Sequence, residues 1–247
     1  MRLTVVGCGD AFGSGGRGNS CYHVESADLV LTLDFGASAP VALNRLGLDP
    51  ARIDMVVLSH LHGDHFGGLP MLLLDGQFVH RRSRPLTIVG PTGTRARLDL
   101  LMEAMFAGMG RNAWRFDWRV EEVAPGGTLA LGPLTLTTAE VRHFAGAPAT
   151  ALRLGLHGRT LAFSGDTEWT EALLPIACGA DLFICESYMF DGAPVGHMAY
   201  TTIAAQRAAL GARRILLTHM GDAMWERRGA VDGAHFTVAE DGLVLDI

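Results

Sequence analysis

Three histidines and one aspartate fall within residues 60–65, in the run Ser59-His60-Leu61-His62-Gly63-Asp64-His65. The run follows the apolar stretch 53–58, which reads as a buried strand. On an extended segment, side chains two apart point to the same side, so His60 and His62 can share one metal ion. Asp64 and His65 stand where the chain turns into a helix and can face a second ion, with Gly63 giving the backbone the freedom to make that turn. So dense a set of imidazole and carboxylate groups has no common structural use, because polar side chains at a strand end usually stand alone.

Further candidates occupy other predicted strand ends. His143 follows the strand at 134–141, Asp166 lies in Ser164-Gly165-Asp166-Thr167 after the strand at 160–163, and His219 ends the strand at 215–218. A lone histidine in such a place is more often a satisfied polar residue than a ligand, but several strand ends can converge on one rim. The ligand set then closes: His60, His62 and His143 for one metal, Asp64, His65 and His219 for the other, and Asp166 as a bridge. Imidazole and carboxylate without thiolate suit Zn2+, with Mn2+ or Fe as alternatives. Two such ions ~3.5–4 Å apart can share a hydroxide and stabilise displacement at phosphorus or at an acyl carbon.

The elements that must position these residues follow from apolar periodicity. Strands are expected at 3–6, 21–24, 29–35, 53–58, 86–89, 134–141, 149–156, 160–163, 182–186 and 215–218. Helices are expected at 39–46, from His62 through 69–74, and at 95–106, 168–178 and 201–210. Residues 107–127 read as loop with one strand, and Val238, Leu243 and Leu245 as a closing hairpin. Two mixed sheets packed together with helices outside fit this order better than one doubly wound parallel sheet. The glycine-rich segment 7–18 is not a dinucleotide fingerprint, because Asn19, Ser20 and a second strand follow where a helix should begin.

Composition narrows the chemistry. All 20 basic residues are arginine, which excludes Schiff-base, P-loop and Ser-Lys mechanisms. A net charge of −6 argues against broad nucleic-acid coating. With 49% hydrophobic residues, the chain of 247 residues can bury a substantial core and is read as one domain, 1–247. Cys8, Cys21, Cys178 and Cys185 form no C-x-x-C pair and are too sparse for a disulfide scaffold. No segment approaches the ~18 apolar residues of a membrane span and none resembles a signal peptide, so the expectation is a soluble, cytoplasmic protein.

The pattern H-x-H-x-D-H, with a later histidine, an aspartate in a G-D-T turn and a final T-H, resembles the metallo-β-lactamase superfamily. The resemblance runs in order along almost the whole chain and implies an α/β, four-layer αββα sandwich with a dinuclear site at one edge of its two sheets. The opening Gly7-Cys8-Gly9-Asp10-Ala11-Phe12-Gly13-Ser14-Gly15-Gly16-Arg17 and the later Gly196-His197-Met198 are similar to the ribonuclease Z-like branch. That likeness implies that His197 is a general acid and a phosphate-binding residue. No cysteine matches the second-metal ligand of most true β-lactamases, and the long tRNA-gripping arm is not recognisable. Arg81, Arg82 and Arg84 would make either a partial substitute for that arm or a solvated loop.

Among lesser residues, Asp34 resembles the aspartate that braces the metal loop, an ordinary turn cap being the other reading. Glu186 ends a strand and is a candidate to orient His197. Met198, Met220 and Met224 with Trp225 are candidates to line the pocket or to pack the core, and Asn19 and Ser20 to donate hydrogen bonds near it. His23, His80, His157 and His235 have no partner pattern.

The sequence thus points to a dinuclear hydrolase, a phosphodiesterase whose bridging hydroxide attacks phosphorus, with Asp64 and His197 as its catalytic residues. Its substrate would be a small-molecule, nucleotide or RNA phosphodiester, with no membrane partner and, by family resemblance, a homodimer. The rivals are a lactone, thioester or sulfate-ester hydrolase with the same metals, and a non-hydrolytic di-iron redox or ligand-sensing protein.

Overall fold

A computed structural model describes residues 1–247. In chain order its elements are β1 (Arg2–Gly7), β2 (Cys21–Glu25), β3 (Val30–Leu33), α1 (Ala39–Arg45), β4 (Met55–Val57), α2 (Gly63–Phe66), α3 (Leu69–Phe78), β5 (Leu86–Gly90), α4 (Thr94–Met105) and β6 (Trp118–Glu122). There follow β7 (Thr128–Leu131), β8 (Leu134–Glu140), β9 (Thr150–Leu156), β10 (Arg159–Phe163), α5 (Leu173–Ala177), β11 (Leu182–Glu186), α6 (Tyr200–Leu210), β12 (Ile215–Thr218), α7 (Asp222–Glu226), β13 (Phe236–Val238) and β14 (Val244–Asp246). They form two seven-stranded sheets, ordered β14-β1-β2-β3-β4-β5-β6 and β13-β12-β11-β10-β9-β8-β7.

Alternation along the strands divides the apolar side chains between two cores. Leu3, Val5 and Val57 point between the sheets, where they share a core with Leu152, Leu161 and Ile184 of the second sheet. Their neighbours Val6 and Val56 point the other way, under Leu43 of α1, Leu69 and Leu73 of α3 and Leu98 of α4. Tyr22 of β2 meets Phe163 of β10 edge to face at 5.3 Å, and its hydroxyl lies 2.5 Å from Thr218 Oγ1 of β12. Helix α5 packs on the second sheet and on α6. The result is the expected α/β sandwich with helices outside both sheets. No helix is long and apolar enough to cross a membrane.

Strand direction decides where a site can lie. β3, β4, β5 and β6 run parallel in the first sheet, and β10, β11 and β12 in the second. β8 is antiparallel to β9, itself antiparallel to β10, so β8 shares their direction. The carboxyl ends of parallel strands gather at one edge, where ligands of open α/β sheets bind.

Several boundaries differ from the sequence reading. The expected closing hairpin does not form: β13 pairs with β12 and β14 with β1, in different sheets. Between them Asp241 accepts hydrogen bonds from Cys8 N at 3.0 Å and Gly18 N at 2.7 Å, which carries the chain from one sheet to the other. The helix expected from His62 is two helices, α2 and α3, parted at Gly67 and Gly68. A Cβ on Gly68 would stand 2.5 Å from Gly36 O and 2.7 Å from Phe35 Cδ1, so the break lets the chain pack against the end of β3. The helix expected at 168–178 is only α5, because Glu168 serves loops instead, donating its N–H to Arg142 O. Strand β7 was not expected.

Arg82 belongs neither to a basic patch nor to a solvated loop. It is buried, and its guanidinium donates to the carbonyls of Pro50, Ala51, Ile53, Arg84 and Pro85. It ties the segments that lead into β4 and β5. Arg82→Ala should cost about 2–4 kcal/mol of stability by stranding buried carbonyls, whereas the exposed Arg81→Ala should stay within about 0.5 kcal/mol. Urea unfolding of the two variants, with equal losses, would refute this assignment.

Candidate metal centre

The histidine-rich segment begins where β4 ends. Ser59 fixes it: its carbonyl accepts from Thr150 N and Oγ1, while its N–H and hydroxyl donate to Asp34 at 2.7 and 2.8 Å. Residues 59–62 stay outside the helix, and His62 caps α2 with extended backbone (φ −77°, ψ 152°). Helix α2 then carries Asp64 and His65. His65 Nδ1 donates to Asp34 Oδ2 at 2.6 Å, which turns Nε2 toward the cluster. Asp34, at the end of β3, therefore touches both halves of the segment.

The strand ends bring the seven predicted ligands together in two groups. His60, His62 and His143 place one donor atom each within 4.8 Å of one another, and so do Asp64, His65, Asp166 and His219. Asp166 Oδ2 lies between the groups, 3.3 Å from His65 Nε2 and His219 Nε2 and 3.9 Å from His60 Nε2 and His143 Nε2. His143 Nδ1 donates to Gly196 O at 2.8 Å, so its Nε2 offers a lone pair, and that atom faces His62 Nδ1 at 3.0 Å.

These residues fit metal cations. Nε2 of His60 and Nε2 of His65 are buried without a hydrogen-bond partner, a costly arrangement for polar atoms. Burial and the His65 charge push His60 well below the usual histidine range. Burial acts to raise the Asp166 carboxyl, but the positive His219 and His65 outweigh it and hold it well below the usual range. The donors are imidazole nitrogens and carboxylate oxygens, the set that zinc, manganese and iron take. His219 and Asp34 hold left-handed backbone at φ 52° and 54°, as Arg81 and His157 do outside the site.

His197 stands beside these groups. Its Nδ1 is 3.0 Å from Glu186 Oε2, and Glu186 also accepts from Thr167 N. Burial and then the Asp166 charge push Glu186 well above the usual carboxylate range. Tyr188, which sequence reasoning missed, stacks on the His197 ring at 4.7 Å. No motif marks it; only its position two residues after Glu186, on the way back to His197, carries a signal. Phe12, Tyr188, His62, Asp64, Asp166 and His197 are among the residues lining a cleft of about 190 Å³.

Other expected residues lie elsewhere. Met198, Met220 and Met224 are core residues. Asn19 bonds Asp10 O and Ser38, joining loops, and Ser20 is buried. His80, His157 and His235 each pair with their own carboxylate, on Asp75, Asp28 and Asp232, while His23 is buried in β2.

Known proteins resemble this chain. The family described as Anti-Pycsar protein Apyc1 matches residues 1–241. Apyc1 of Saccharibacillus brassicae is 30% identical over 186 residues, 70% of each chain. The probable metallo-hydrolase YhfI of Bacillus subtilis is 28% identical over 262 residues and the match spans both chains entirely. The solved structure of short-form human tRNase Z superposes with a TM-score of 0.81 at 24% identity, covering 100% of this chain and 99% of that one, a likeness of fold.

Asp34→Ala should weaken metal binding roughly 10–100-fold without removing a ligand, because His65 loses the bond that sets its tautomer and Ser59 loses its anchor. Titration against a chromogenic chelator measures this. Unchanged affinity would show that Asp34 only caps a turn.

Proposed function

The chain belongs to the Anti-Pycsar protein Apyc1 family, among metallo-hydrolases of the metallo-β-lactamase fold, and from that membership we propose that it is a dinuclear phosphodiesterase of the ribonuclease Z-like branch. The observation that carries the reading is the single oxygen Asp166 Oδ2 set between two donor groups, with His197 standing beside them. His60, His62 and His143 would hold one cation and Asp64, His65 and His219 the other, with Asp166 shared. When bound, the ions supply Lewis acidity and an activated water nucleophile. Zinc is the metal the donor set favours.

The remaining work falls to this chain's own groups. Asp64 opens onto the cleft and is assigned to accept the proton of the attacking water. His197 is held through Nδ1 by Glu186; as the imidazolium it would keep Nδ1–H on that carboxylate and give its Nε2 proton to the leaving oxygen. Stacking on Tyr188 keeps the ring from turning. With no lysine in the chain, ammonium stabilisation of the phosphoryl group is unavailable to it, and the cations, when bound, would stabilise the charge developed there. The tRNase Z relative supports a nucleotide or RNA phosphodiester as substrate. The whole of 1–247 is read as one domain, since one core draws on both sheets.

Elemental analysis of protein purified without chelator should give two transition-metal ions per chain, mainly zinc. One ion or none after reconstitution would overturn the dinuclear reading, and iron with visible absorbance and no hydrolysis would favour a redox role.

His197→Ala should keep its metals. It should lose ~10²–10⁴-fold in rate on an alkyl or nucleotide diester and far less on bis(4-nitrophenyl) phosphate, whose leaving group needs no proton. Equal losses on both would make His197 a binding residue. No loss on either would move the lactone, thioester or sulfate-ester reading ahead.

A further inference from the structure

Asp166, Thr167 and Glu168 follow β10 in one turn, and that turn is bonded to the loop that carries His143. Thr167 Oγ1 accepts from Arg142 N at 3.0 Å, and Glu168 N donates to Arg142 O at 3.1 Å. The Glu168 side chain reaches a different loop, where Oε1 accepts from Gly196 N at 2.9 Å. Gly196 therefore uses both of its backbone groups, its N–H on Glu168 and its carbonyl on His143 Nδ1 at 2.8 Å. The residue after it is His197, whose ring stands 5.1 Å from that of His143.

Little else holds this stretch. Asp191, Gly192, Pro194 and Val195 are exposed. Between Gly192 and His197 the backbone makes two hydrogen bonds to the rest of the molecule, both at Gly196. His197 N donates to Pro194 O at 3.1 Å, which turns the loop without anchoring it. Gly196 holds φ 89°, and a Cβ there would stand 3.1 Å from His143 Nδ1, so the backbone approaches the imidazole closely. The geometry of that approach depends on where Gly196 is held, and the Glu168 carboxylate holds it from the other side. An anionic acceptor makes the stronger kind of bond to a backbone N–H. Glu168 is not among the residues lining the cleft of Asp64 and His197, so it acts on the centre only through the loop.

We propose that Glu168 is a positioning residue, a carboxylate that clasps Gly196 N and so sets two side chains through one loop: His143 for its metal ion and His197 for proton donation. The inference rests on the dinuclear phosphodiesterase reading. It links the two halves of that reading, because releasing one hydrogen bond disturbs a metal ligand and the acid together. The turn that supplies the bridging Asp166 also supplies the clasp, which ties all three groups to the end of β10.

Titration of metal-free protein with zinc against a chromogenic chelator measures the affinity of each ion. Glu168→Ala should weaken one ion about 10-fold, the same ion that His143→Ala weakens. The other ion should keep its affinity, which shows that the fold is intact. In the double variant the two losses should not add, because Glu168 acts through His143. Glu168→Gln keeps an acceptor oxygen for Gly196 N and should restore the affinity. On zinc-loaded protein, Glu168→Ala should lose up to ~10²-fold in rate on an alkyl or nucleotide diester and less on bis(4-nitrophenyl) phosphate. Glu171→Ala, at an exposed position nearby, should match the wild type in both measurements. Unchanged affinities in Glu168→Ala, equal weakening of both ions, or additive losses in the double variant overturn the clasp. So does a Glu168→Gln as weak as Glu168→Ala, since the charge and not the bond would then matter. A protein that shows the expected affinities but hydrolyses no phosphodiester removes the phosphodiesterase reading and the His197 half of the proposal, and leaves Glu168 positioning His143.

Discussion

The Asp34 carboxylate joins the fold to its metal-binding edge. It accepts hydrogen bonds from Ser59 N, Ser59 Oγ and His65 Nδ1 within one fully buried space. The segment it holds must be extended through His62 and helical from Gly63, two backbone states that nothing in residues 59–65 enforces alone. Charge-assisted bonds are stronger than neutral ones, and burial removes water as a competing partner. Both donor groups depend on this joint, since it anchors the residue before His60 and fixes the ring of His65. The left-handed backbone at Asp34 is kept because its surroundings determine it so fully.

Around that joint, the sheets solve a problem of convergence. Seven donor side chains reach one edge from β4, α2, β8, β10 and β12 or the turns after them, and they do so because those strands share a direction. Without cations the arrangement is electrically awkward. Five imidazoles and two carboxylates crowd together at the inner end of the cleft, most of them buried, and several of their nitrogens have no partner. The cost is bearable because two large apolar cores hold the strands on either side of the first sheet, and divalent ions would turn the same crowding into coordination.

The centre and the loops around it obey different physics. The centre is buried, strained and fixed by hydrogen bonds, while Phe12, Phe144 and Val195 are open to solvent on braced loops. A fold shared with human tRNase Z at 24% identity shows how far such a scaffold persists while sequences differ. The sandwich by itself therefore does not name a substrate.

Much of this was legible in the chain. Residue type and short-range spacing determined the H-x-H-x-D-H segment, the strand ends with His143, Asp166 and His219, and the two-sheet α/β class, because local periodicity and local chemistry are written in consecutive residues. The tertiary structure decided what depends on distant partners. It sent β13 and β14 to different sheets, since Asp241 bonds Cys8 and Gly18 more than two hundred residues away. It broke the helix after His62 at Gly68, where the end of β3 needs the space. It buried Arg82 among carbonyls, laid Tyr188 on His197 and left Phe12 and Phe144 bare. A residue's type fixes what it can bond to, but which partner it meets depends on the path of the whole chain, and no window of sequence contains that path.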